Sequence, residues 1–222
     1  MYKSIFQKEW TKLRWVLLAY LVVSYFAIFS ISMDIYHAFK VHGAVKYWNN
    51  VIAYQVFFFD MLKYIPVIGG FALAIFQFLP ESLNNRYKLG FHLPISEKKL
   101  LLFMLLVGML IIISVNFLTT IGFYIFISVF FPAEIVNVSV LSTLPWFLAG
   151  MIAYLGTATT VTEPNWFQRI VLGIMTYFSM NLLLREESFS QYTPVLGYYI
   201  LIILIYTITI LFPGHRLRKG SK

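Results

Sequence analysis

Residues 100–131, LLLFMLLVGMLIIISVNFLTTIGFYIFISVFF, run for 32 positions without a charged side chain. As one straight helix they extend roughly 48 Å, more than the ~30 Å hydrocarbon core of a bilayer. Divided by a turn they give two pieces of about 14 residues, each too short to cross. One span, tilted or projecting beyond the outer face, is the reading that fits.

Working toward the N-terminus, residues 61–79 form a second run long enough to cross, with Asp60 and Lys63 at its start and Pro80 at its end. Residues 51–59 are expected along the outer surface. A third run, 15–33, holds 19 uncharged residues, about 28 Å of helix, and follows Lys3, Lys8, Lys12 and Arg14. It is too long for the core of a cleavable signal peptide and reads as an uncleaved first span. Toward the C-terminus, 145–162 and 166–184 form two more spans, the latter flanked by Arg169 and Arg185. The last begins with Thr193 as an N-cap and Pro194 at the first helical position, and stops at Pro213-Gly214.

Composition agrees. The 222 residues are 60% hydrophobic, 19% aromatic and 12% charged, with mean hydropathy +0.78. A soluble domain carries about 25% charged residues, so a water-soluble enzyme is excluded. The absence of cysteine excludes disulfides, thiolate nucleophiles and cysteine-held metals. The net charge of +8 is distributed as membrane topology, not as a nucleic-acid surface. With both termini cytoplasmic, 13 of the 17 basic residues fall on the inner side. The outer side keeps Lys40, Lys46, Lys63 and Arg185.

The expected fold is therefore an all-α integral membrane protein with six transmembrane helices, an N-terminal amphipathic interfacial helix and both termini cytoplasmic. It forms one membrane domain over 15–213, preceded by the interface helix 1–14 and followed by a basic tail, 214–222.

No catalytic constellation stands out. His37, His42, His92 and His215 lie in loops or at span ends, without the spacing a haem or zinc site needs. No phosphate-binding G-x-x-x-x-G-K-[ST] loop occurs. No cofactor, no metal and no enzymatic activity of the chain itself are expected. Asp60 and Lys63, three apart, are placed to pair near the outer face, where ionisable groups at membrane depth are candidates for a pathway. Gln77, Asn116, Thr119, Thr120 and Asn181 are polar positions inside apolar runs and should turn toward protein. Asn116 and Asn181 are candidates for a seam between two chains.

Two segments expected on the cytoplasmic side carry more. Tyr2, Ile5, Phe6, Trp10 and Leu13 recur at helical spacing among lysines, the pattern of a helix lying in the membrane interface with its basic side toward anionic headgroups. Residues 80–99 open with Pro80 and Glu81, which suit a short new helix, and hold Leu83, Tyr87, Leu89, Phe91 and Leu93, too apolar for an idle loop.

The combination of Lys8-Glu9-Trp10-x-Lys12, six spans, and Glu81 followed by Leu93-Pro94-Ile95-Ser96 resembles the permease subunits of type 2 ABC transporters. That resemblance implies an exporter in a bacterial cytoplasmic (inner) membrane, a separate ABC-type ATPase subunit, and a second permease chain. It makes 80–99 a coupling segment, with Glu81 and Arg86 as polar and Tyr87 and Leu89 as apolar contacts to the ATPase. The alternative is a membrane scaffold that recruits a cytoplasmic partner without transport.

Overall fold

A computed structural model describes residues 2–55, 57–83, 97–185 and 188–211. Among these the chain is helical and contains no strand. The helices are α1 (Tyr2–His42), α2 (Ala44–Tyr54), α3 (Ile65–Leu83), α4 (Glu97–Ser128), α5 (Ala133–Thr162), α6 (Trp166–Leu184) and α7 (Leu196–Thr209). Five helical segments, those of α1, α3, α4, α5 and α6, are long and apolar enough to cross a membrane. The chain is an integral membrane protein. Helix α7, with 14 residues, about 21 Å, is apolar but shorter than those five.

Several expected boundaries move. Helix α1 is continuous over 41 residues, so no break separates an interfacial helix from the first span. Nothing in residues 2–14 is a helix breaker, and the buried series Ile5, Glu9, Leu13 runs on into Tyr20 and Ser24. Helix α3 passes through Pro80 to Leu83, so Pro80 ends nothing and opens nothing. Proline removes one helical hydrogen bond, but bonds beyond it hold the last turn in place, among them Ser82 Oγ donating to the Val161 carbonyl at 3.2 Å. Helix α5 starts at Ala133, twelve residues before the expected start at Pro145, which lies inside the helix. A single 3-10 turn covers Thr193–Val195, and Val195, not Thr193, caps α7.

Helices α3 and α5 form the centre and run parallel. Their backbones meet at Gly70 and Gly150: a Cβ on Gly150 would lie 2.6 Å from the Pro66 carbonyl oxygen, and one on Gly70 would collide with the Gly150 carbonyl. Helix α1 packs against α3 and α4, while α6 and α7 pack against α5.

The bundle has two different ends. One gathers the starts of α1, α4 and α6 with the ends of α3 and α5, and carries Lys3, Lys8, Lys12, Arg14, Lys99 and Arg169. The opposite end is roofed by aromatic rings. There Gly43, at φ 77°, turns the chain from α1 into α2, and Trp48 Nε1 donates to the Phe130 carbonyl at 3.1 Å, fixing α2 over the end of α4. Phe59 and Trp146 lie beneath, fully buried, with ring centroids 5.3 Å apart.

Candidate functional site

At the basic end a buried polar network joins four helices. Residues 5, 9 and 13 share one face of α1, and Glu9, between Ile5 and Leu13, has no exposed surface. On α3, Gln77 and Glu81 are one turn apart and face it. The Gln77 amide is oriented by its partners: Nε2 donates to Glu9 Oε2 at 3.0 Å and to the Met104 carbonyl at 2.8 Å. Its Oε1 accepts from the Tyr154 hydroxyl at 2.6 Å. Tyr154 comes from α5 and is itself fully buried. Gly108 of α4 leaves the room this needs, since a Cβ there would run into the Tyr154 hydroxyl.

The charges are arranged around this amide. Lys12 Nζ reaches Glu81 Oε1 at 2.9 Å, the Gln77 carbonyl at 3.1 Å and Glu9 Oε1 at 3.4 Å. Three acceptors satisfy the three donors of an ammonium. Lys8 reaches the same Glu81 oxygen at 2.8 Å, with its side chain half exposed. Two carboxylates and two ammonium groups sum to zero, the arrangement in which buried charge is tolerated in a low-dielectric setting. The network ties the first turns of α1 to the last turn of α3, immediately before residues 84–96.

The sequence-predicted residues fall as follows. The five apolar residues of the N-terminal segment do not share a face: Ile5 and Leu13 are buried, whereas Tyr2, Phe6 and Trp10 are exposed. Lys8 and Lys12 bond to Glu81 across to α3. A buried carboxylate in the inward series caused the misreading, because apolar spacing assigns Glu9 to water. Glu81 is 2% exposed and held by lysines, so its carboxylate faces the bundle's own helices. Arg86, Tyr87 and Leu89 lie outside the described residues.

Asp60 and Lys63 sit in a single 3-10 turn before α3, joined through the Lys63 N–H and the Asp60 carbonyl at 3.0 Å. Their side chains form no ion pair among the described residues, and Asp60 is exposed, so the expected pair is not made. Asn116 is buried between α4 and α1, where its Oδ1 accepts from the Tyr20 hydroxyl at 2.7 Å. Asn181 donates to the Tyr177 carbonyl of its own helix at 3.1 Å. Asn116 Oδ1 and Asn181 Nδ2 thus bond separately, while the buried Asn116 Nδ2 has no partner among the described residues.

Sequence reasoning singled out Gln77 only as a polar position and missed Glu9, Lys8, Lys12, Tyr154 and Gly108 as a group. The available signal was the pair of i,i+4 series: 5-9-13 on α1, where Glu9 stands between Ile5 and Leu13, and 77-81 on α3, where Gln77 precedes Glu81 by one turn. No family model matches the chain, and no curated protein or solved structure does.

Proposed function

We propose that the chain is the membrane subunit of an ABC-type exporter, crossing the membrane six times with both termini in the cytoplasm and driven by ATP hydrolysed on a separate subunit. A second permease chain, identical or related, completes the pathway. The observation that supports this reading is the link from Glu81 to Lys8 and Lys12. Residues 84–96 leave α3 directly after the turn that those lysines hold. A force applied to that segment by a cytoplasmic partner is delivered to α1 and α3 together, and through Gln77 to α4 and α5.

The test is reconstitution in liposomes with the candidate partner, an ATPase carrying a phosphate-binding loop. The complex is expected to hydrolyse ATP faster than the ATPase alone. Glu81→Gln, which weakens the hold on both lysines, is expected to lower this stimulation severalfold while the complex still assembles. Binding of the partner without any change in its ATP turnover would instead make the chain a recruiting scaffold.

A further inference from the structure

Below the polar network, α1 and α3 diverge and leave an open groove of about 380 Å³ on the outer surface of the bundle. Trp15, Ala19 and Val23 form one wall and Ile68, Ala72 and Phe76 the other. Its floor is the Tyr20 ring, which lies on Gly69 because a Cβ at 69 would sit 2.6 Å from that ring. The walls are almost wholly apolar, and Trp15 and Phe76 are 67% and 56% exposed. We propose that this groove seats one acyl chain of an anionic glycerophospholipid from the leaflet at the basic end.

Three observations select that occupant. The first is length. The groove covers nine residues of α1, Trp15 to Val23, about 12 Å, and Ile65 to Phe76 of α3, about 16 Å, close to the ~15 Å depth of one leaflet. A helix from a second copy would lie along the whole core, so a groove of about one leaflet's depth fits a chain that starts at one headgroup level and ends near the midplane.

The second is the position of the aromatic residue. Trp15 stands at the mouth, the side chain that prefers headgroup depth.

The third is charge. The Arg14 guanidinium lies 5.5 Å from the centroid of the Trp15 ring. No carboxylate pairs with it among the described residues. Lys12, in the polar network, bonds to the carbonyl of Gln77, the neighbour of Phe76, and has its donors engaged there. Lys8, one turn further, is half exposed and has spent one of its three donors on Glu81. Against Glu9 and Glu81 these three cations leave one positive charge in excess, that of Arg14, and its exposed fork suits a phosphate. Small residues at 19, 69 and 72 keep the groove open. The site does not depend on which partner drives the protein.

The experiment is photolabelling of the full chain in phosphatidylcholine nanodiscs. These are doped with a trace of phosphatidylglycerol carrying a diazirine in its acyl chain, or with the matched phosphatidylcholine probe. Adducts are expected on peptides spanning 15–23 and 65–76, about fivefold more from the anionic probe. Arg14→Gln should bring that ratio toward one. Ala19→Phe, a change at an exposed position, should remove the adducts there and leave labelling elsewhere on the chain as before. Equal labelling by the two probes, or labelling that survives Ala19→Phe, overturns the proposal. So does efficient cross-linking of Ala19→Cys chains to each other in the bilayer, which would seat a second copy on this face.

Discussion

A carboxylate with no exposed surface, as at Glu9, persists in an apolar bundle only because Gln77 and Lys12 donate to it. Removing Lys12 alone leaves that charge without its counter-ion, which costs about 3–5 kcal/mol when such a pair is broken. Replacing both partners by apolar residues of similar volume is often neutral. Lys12→Met is therefore expected to lower the thermal midpoint of the detergent-solubilised protein sharply, and Glu9→Leu with Lys12→Met to recover most of the loss. A double variant no more stable than the single one would show that the network is not a coupled unit. Tyr154→Phe takes the hydroxyl from the buried Gln77 Oε1 and should cost about 1–3 kcal/mol. Little of this was legible beforehand. Apolar spacing ranks residues by side-chain type, and a satisfied buried charge has the type of a surface residue. The pairing is a property of two helices more than sixty positions apart, which no local pattern reports.

At the level of elements, the charge-free runs found the five long apolar helices, though the fourth starts twelve residues before its expected start at Pro145. Residues 166–184 were delimited correctly because Asn165 caps the helix, its Oδ1 accepting from the Phe167 and Gln168 N–H groups at 3.0 and 3.3 Å. Proline was misread twice. At Pro80 and Pro145 one lost hydrogen bond is outweighed by packing on both sides of the residue, since α3 and α5 touch along most of their length. That contact rests on Gly70 and Gly150, where helix backbones approach too closely for any side chain. Gly70→Ala meets backbone, not a flexible side chain, so relief requires the helices to separate. A loss of about 1–3 kcal/mol is expected, as for overpacking of a tight interior. Gly197→Ala, with open space around it, should leave the midpoint unchanged. Thermal unfolding followed by size-exclusion chromatography in detergent distinguishes the two. Equal effects would mean that the α3–α5 contact is not what limits stability.

For the whole molecule, the unequal ends set the orientation. The basic-end residues Lys3, Lys8, Lys12, Arg14, Lys99 and Arg169 outnumber Lys40, Lys46, Lys63 and Arg185 at the aromatic end. Topology responds to the number of Lys and Arg near span ends and little to acidic residues, so the engagement of Lys8 and Lys12 by Glu81 does not weaken the bias. The basic end should face the cytoplasm. Because the chain has no cysteine, each introduced one reports alone. Lys40→Cys, exposed near the end of α1, should react with a membrane-impermeant maleimide in intact cells. Trp166→Cys, 70% exposed at the start of α6, should react only after permeabilisation. Reversal of these two results inverts the molecule. Arg218→Cys then decides the number of crossings. Protection in intact cells places the tail with Trp166 and requires α7 to extend beyond its 14 residues into a sixth span. Reaction from outside, with Trp166→Cys still protected, leaves five spans and puts the positive tail on the side that the rest of the chain's charge avoids.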